Sequence, residues 1–281
     1  MSYNITDNNK EEKEEEKTQK HMTATAWSHI NGSPQEILDR YCVAELCKGW
    51  PVYHDAAEWD HFRHLFAEGG AWVFTTWSGG LPIDDFIQVS KEGRAKGEFI
   101  THRENGTLVD LDPVTNRAVG KMKATISQRF TANVDTNKPQ SDSESTSEST
   151  FDVECDCRFI FFCKKPSTSV TPNDLPGRRD WKIQYVKLFY EKDRIIPIDG
   201  HGVPRFHRTD LLKYPVGYQY LGLAQSMLGY KVRNDLPTMR NESSQAFRAM
   251  YEAMERWLRA EPGVADLLGV PAGGSKAEPR F

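Results

Sequence analysis

Four stretches carry the fold: "GEFITHRENGTLVDLD" (97–112), "RAVGKMKATISQRFTANV" (117–134), "TFDVECDCRFIFFCKK" (150–165) and "RDWKIQYVKLFYEKDRIIPI" (179–198). Each is rich in β-branched and aromatic residues and reads as a strand, and no helical segment separates one from the next. The helical signals lie upstream. In "NGSPQEILDRYCVAELCKGW" (31–50) Ser33 is an N-cap, Pro34 occupies the first turn and Glu36 completes a capping box. Ile37, Leu38, Tyr41, Ala44 and Leu46 form an apolar stripe interrupted by Glu45, and Gly49 and Pro51 are expected to stop the helix. A second helix carries Trp59, Phe62, Leu65 and Phe66; "AWVFTTW" (71–77) reads as a strand, and residues 82–93 as a short helix. Helices first, then long strands with nothing helical between them, predict an α+β fold built on an antiparallel sheet.

Around this block the composition changes. Residues 1–26 include "KEEKEEEKTQK", a mixed-charge tract with nothing to bury, expected to be a disordered tail. "TNKPQSDSESTSEST" (136–150) is too polar to pack and is expected to be a mobile loop, while "PSTSVTPNDLPGRR" (166–179) reads as a second long turn. The main domain therefore spans 27–198. Residues 199–281 form a helical extension, in which "YPVGYQYLGLAQSMLGY" (214–230) could lie across the mouth of the main domain. "SQAFRAMYEAMERWLRAEPG" (244–263) sets Phe247, Met250, Tyr251, Met254, Trp257 and Leu258 on one helical face, for packing on the parent domain or on a second subunit.

Several function classes are disfavoured. A net charge of −4 and a pI near 6.1 argue against nucleic acid or an anionic membrane as the main partner. No run of eighteen apolar residues and no apolar leader is present, and five scattered cysteines do not suggest a disulfide framework, so a reducing cytoplasm is the expected location. Cys155 and Cys157 fit alternate positions of a strand better than half a metal site. His61 and His64 lie among charged residues with no acid completing a metal motif, and His201 and His207 sit in a Gly/Pro-rich loop. Neither a dinucleotide-binding nor a P-loop glycine pattern occurs, so no metal and no cofactor is expected.

The chemistry-bearing stretch is "YHDAAEWD" (53–60). Asp55 has two readings. Asp-x-x-Glu ahead of an apolar run is a capping signature, which would spend Asp55 on the start of the second helix. It could also be half of an acid–base pair, although capping is the reading the local residues favour; His102 interrupts the strand "FITHREN" (99–105), where a lone histidine reads first as a solvated or core residue.

Two capped helices, the "YHDAAEWD" turn, and strands carrying "FITHR" and ending in "SQRF" resemble the SnoaL-like group, and more narrowly the scytalone dehydratase branch of the nuclear-transport-factor-2-like superfamily. The resemblance covers residues 34–198. It implies a cone: a strongly curved antiparallel sheet closed by helices around one apolar cavity. It also implies that Asp55 and His102 face each other inside that cone, His102 as base and acid and Asp55 as its orienting carboxylate. Tyr53, His54, Trp72 and Lys121 are the implied substrate contacts. The branch's second cavity histidine is absent, its region holding Lys121, Met122 and Lys123, and "TTWSG" (75–79) lacks the first-strand tyrosine. The expected activity is a cofactor-free lyase or isomerase acting on a cyclic, polyketide-like carbonyl compound. The rival expectations are a non-catalytic ligand-binding or interaction module of the same shape and a cofactor-independent oxygenase. A hydrophobic small molecule is the expected partner, with a homo-oligomer as a further possibility.

Overall fold

A computed structural model describes residues 27–134, 147–165, 180–198 and 204–271. The charged tail, residues 135–146, the 166–179 turn, His201 and the last ten residues lie outside the described residues.

Helix α1 (Pro34–Gly49) starts where the capping box requires: the Glu36 N–H reaches Ser33 Oγ at 3.3 Å and the Ser33 N–H reaches Glu36 Oε2 at 2.7 Å. Its buried face is not the expected stripe. Val43 and Cys47 are fully buried in line with Asp39, whereas Ile37, Leu38 and Tyr41 are exposed. The reason is a paired acid: Asp39 meets Lys165 at 2.6 Å and accepts the Trp181 indole N–H at 2.9 Å, so a charged residue faces inward. Nor does the chain leave helical geometry at Pro51. It continues through one π-helical turn (Trp50–His54), whose first turn accepts a proline because no N–H is needed there. A short helix α2 (Trp59–His64) follows, with Phe62 buried.

The sheet contains β1 (Trp72–Phe74), β2 (Leu81–Pro82), β3 (Phe99–Asp112), β4 (Arg117–Val134), β5 (Ser147–Lys164) and β6 (Lys182–Pro197), with α3 (Ile83–Ala95) between β2 and β3. The spatial order is β2-β1-β6-β5-β4-β3. Strands β3 to β6 form the expected antiparallel meander. The first strand shrinks to three residues and runs parallel to β6, so the sheet is mixed. The sheet is open, β2 and β3 being its edges, and register shifts at Glu104/Thr107, Asp156/Cys157 and Phe162/Cys163 bend its long strands. Strand β5 begins inside the stretch expected to be loop, pairing Ser147 with Val134. Cys155 and Cys157 lie on β5, and all five thiols are free.

Strand alternation gives the sheet two apolar faces. Met122, Ala124, Ile126, Phe159 and Leu188 join α1 and the π turn in the main core. Val119, Ile160, Phe162 and Phe189 form a second core on the opposite face. That second core is roofed by α6 (Gln245–Leu258), after α4 (Arg208–Leu211) and α5 (Gln219–Met227), and by α7 (Val264–Leu268). The Trp257 indole N–H is shared between the carbonyls of Ala118 and Cys163 at 3.1 Å each, tying the extension to two strands. Among the described residues no helix is long and apolar enough to cross a membrane.

Candidate active site

The π turn positions the site. Trp50, buried at its start, packs against Phe62, Phe86, Phe159 and Phe161 with ring centroids 5.2–6.1 Å away. With the indole anchored, the next turn delivers His54 and Asp55 to the inner face of the sheet. Ala57, at φ 59°, reverses the chain there, and the N–H groups of Ala57 and Glu58 return to the carbonyls of His54 and Tyr53 at 3.0 and 2.8 Å. Arg94 of α3 holds the turn from outside by donating to the Asp55 carbonyl at 2.9 Å.

Asp55 does not cap α2. Glu58 precedes α2 and makes no side-chain cap bond, while the Asp55 carboxylate crosses to β3. Its Oδ2 accepts the backbone N–H of His102 at 2.5 Å, and Oδ1 accepts His102 Nδ1 at 2.7 Å and His54 Nδ1 at 3.1 Å. A carboxylate only accepts, so both imidazoles carry a proton on Nδ1, and in the neutral form of His102 the lone pair lies on Nε2. The side chains of Asp55, His54 and His102 are only 16%, 10% and 7% exposed. Burial alone would raise the carboxyl pKa, but the hydrogen bonds from His102 and His54 outweigh it and hold it down to about 2. Burial pushes the His54 imidazole down, against the pull of Asp55.

The three groups lie close enough to be considered as a two-histidine, one-carboxylate metal set. As arranged, the carboxylate already accepts three N–H donors and both Nδ1 atoms carry protons, so these side chains fit one another rather than an ion.

The ring of His102 stands edge-on to Phe159 at 5.7 Å and to His54 at 5.4 Å, at the wall of a cavity of about 60 Å³. Trp59, Trp77, Phe86 and Ile126 give the cavity its apolar lining. Polar groups enter from the far side. Thr76 donates its hydroxyl to Gln225 at 2.6 Å, and Gln225 donates to Gln128 at 2.9 Å. The buried Tyr190 hydroxyl accepts the Thr76 N–H at 3.0 Å, and the Tyr230 hydroxyl donates to Glu98 at 2.7 Å. The indole N–H of Trp50, also on the wall, has no acceptor among the described residues.

Of the residues singled out from sequence, Asp55, His54 and His102 come together here, and three others do not. Lys121 points to the outer face of β4, where it pairs with Asp110, because inward positions on that strand fall on Met122, Ala124, Ile126 and Gln128. Trp72 belongs to the second core, since alternation on β1 sends Val73 rather than Trp72 toward the site. Tyr53 packs against His61 at 5.3 Å, outside the cavity wall. His61 meets Glu58 on the exposed side of α2, and His207 is exposed ahead of α4. Sequence reasoning missed Trp50, Gln128, Tyr190, Gln225 and Tyr230. Gln128 had a readable signal, a lone amide in the apolar alternation of β4; the residues from α5 onward had none.

The profile of the SnoaL-like domain family matches residues 35–160. The chain belongs to the SnoaL-like family. It is 38% identical over 236 residues to Pea pathogenicity protein 2 of Fusarium vanettenii, spanning 82% of this chain and 90% of that relative. It is 41% identical over 215 residues to an uncharacterized protein of Aspergillus terreus, spanning 76% and 75%. Among solved structures, a protein provisionally named as a scytalone dehydratase from Novosphingobium aromaticivorans is 12% identical with a TM-score of 0.40, covering 61% of this chain and 95% of its own. The hexachlorocyclohexane dehydrochlorinase LinA-type3 of Novosphingobium barchaimii is 10% identical with a TM-score of 0.37, covering 60% and 97%. At those values neither solved structure bears on the chemistry of this chain.

Proposed function

We propose that the chain is a cofactor-free lyase or isomerase of dehydratase type, acting on a cyclic, polyketide-like carbonyl compound. The observation that carries this reading is the 2.7 Å bond between His102 Nδ1 and Asp55 Oδ1, formed by residues from separate elements at the wall of an aromatic cavity. His102 Nε2 removes a proton from the carbon next to the carbonyl, and the electrons pass into an enolate oxygen. Collapse of the enolate either expels a hydroxide, which recovers the proton from His102 and leaves as water, or returns the proton to another carbon. Asp55 holds the ring tautomer and stabilises the imidazolium, an interaction worth more in a dry cavity than in water. In place of Tyr53 and Lys121, the donors for the developing oxyanion are the orphaned Trp50 N–H and the Tyr190 hydroxyl, which burial keeps protonated. A cone closing over the cavity, a hydrophobic small-molecule partner and a cytoplasmic location belong to the same reading.

The test is a panel of cyclic polyketide-like ketones incubated with purified protein and followed by mass. Loss of water or isomerisation without mass change is expected, and His102→Ala should abolish it with little change in melting temperature. Turnover of wild-type rate in that variant would remove His102 from the mechanism. A second reading is a non-catalytic binding module, which gains weight from Lys121, Met122 and Lys123 standing where the dehydratase branch carries its second cavity histidine. The cavity of about 60 Å³ has room for only about four waters as it stands, so a bicyclic ligand requires the wall to move. That module would bind members of the panel and convert none; gain of oxygen would instead indicate the oxygenase.

A further inference from the structure

A space larger than the one beside His102 lies elsewhere among the described residues. On the opposite face of the sheet a cleft of about 500 Å³ opens between β1, β6 and the C-terminal helices. That volume lies in the range of small-molecule sites, about 300–1,000 Å³. Its walls are amphiphilic: Phe74, Leu236, Leu267 and Ala249 supply apolar surface, and Lys187 of β6 supplies a cation.

Lys187 is the unusual element. Its ammonium donates to the carbonyl of Leu268 at 2.9 Å, near the end of α7, and lies 5.4 Å from the ring centre of Phe74. Among the described residues no carboxylate pairs with it. The nearby acid, Asp235, is bonded through both oxygens to Arg233, so that pair contributes no net charge to the cleft. Burial, and then Arg233, push the Lys187 amine down to about 8 against the opposing effect of Asp235. A desolvated cation without a counter-ion is an unfavourable arrangement that a bound anion relieves. Ser244, the N-cap of the fourteen-residue α6, and Gln245, its first residue, line the same cleft, where the helix N-terminus adds positive potential.

We propose that this cleft is a second ligand site, taking a small organic carboxylate whose apolar body lies on Phe74 and Leu236 and whose anionic head meets Lys187. The site shares no residue with the His102 cavity, so the inference stands whether or not the chain is a lyase. The charged groups facing Lys187 are Arg233 and Asp235, from the segment after α5, and α7 offers it only a backbone carbonyl. Affinity should therefore fall as pH rises through about 8, where the amine loses its proton.

Titration calorimetry on the full chain with benzoate, and separately with inorganic phosphate at matched ionic strength, tests this. Saturable benzoate binding is expected, at least tenfold weaker in Lys187→Met, kept within a few-fold in Lys187→Arg and unchanged in His102→Ala. Circular dichroism and melting of each variant separate lost binding from lost folding. Benzoate binding that survives Lys187→Met, that disappears with His102→Ala, or that does not saturate in wild type overturns the assignment. Phosphate binding as tightly as benzoate overturns the organic-acid class.

Discussion

Replacing Asp55 with asparagine keeps the shape of the side chain and removes its charge, and its effect can be worked out from three hydrogen bonds. The carboxylate accepts from the His102 N–H, His102 Nδ1 and His54 Nδ1. An amide has one accepting oxygen and a donating NH2 group, so at least one of these donors must lose its partner. If the NH2 faces His102, the ring answers by moving its proton to Nε2, leaving no base toward the cavity. The comparable change in serine proteases, a precedent in general enzymology, costs about 10⁴ in turnover, and a loss of 10³ to 10⁴ is expected here. Stability should fall too. The carboxyl is held at about 2 against an unperturbed 3.8, a displacement of nearly two pKa values. That displacement corresponds to about 2 kcal/mol at neutral pH, or roughly 4–8 °C in melting temperature. Because the folded-state pKa is depressed, this contribution is complete above pH 4 and disappears as pH falls through about 2. Two assays read the prediction. Long-range ¹⁵N–¹H correlation of the histidine rings should report the Nδ1–H tautomer at His102 in wild type and its loss in Asp55→Asn, without any substrate. Turnover of whichever ketone the panel identifies gives the rate. A variant within tenfold of wild-type turnover, or an Nε2–H tautomer at His102 in wild type, refutes the reasoning.

Other outcomes follow from the same geometry. Trp50→Phe keeps an aromatic ring in the core but deletes the unpartnered N–H, and should lower turnover about 10²-fold through loss of an oxyanion donor; Michaelis–Menten analysis should show the loss in kcat rather than KM. Trp257→Ala removes a buried ring and its two backbone hydrogen bonds at the back of the sheet, at a cost of about 4 kcal/mol. Denaturant melts should show that loss, while turnover per folded molecule stays unchanged; a variant as stable as wild type would mean the extension is not part of the core.

How much of this was legible beforehand varied with the kind of signal. Local signals read well: the Ser33–Glu36 box starts α1, and the apolar spacing from Met250 to Leu258 became the buried face of α6. Signals that depend on partners elsewhere read badly. The stripe of Ile37, Leu38 and Tyr41 faces outward because Asp39 finds Lys165 and Trp181 inside, and none of those contacts is local. Asp55 looked like a helix cap, since only one of its two imidazole partners, His54, lies beside it in the chain; only the family resemblance paired it with His102. Lys121 and Trp72 failed through strand parity, which turns on a shift of a single residue. Gln225 and Tyr230 reach the cavity from a segment beyond the part of the chain that the resemblance covers.

Deuterium uptake tests the central claim most directly. A candidate ketone incubated with the protein in D2O should exchange hydrogen at the carbon beside its carbonyl, whatever becomes of the enolate afterwards, and His102→Ala should return exchange to the solvent rate. If a ligand is consumed while that position stays unlabelled, or if the alanine variant exchanges it at an undiminished rate, the imidazole is not the base.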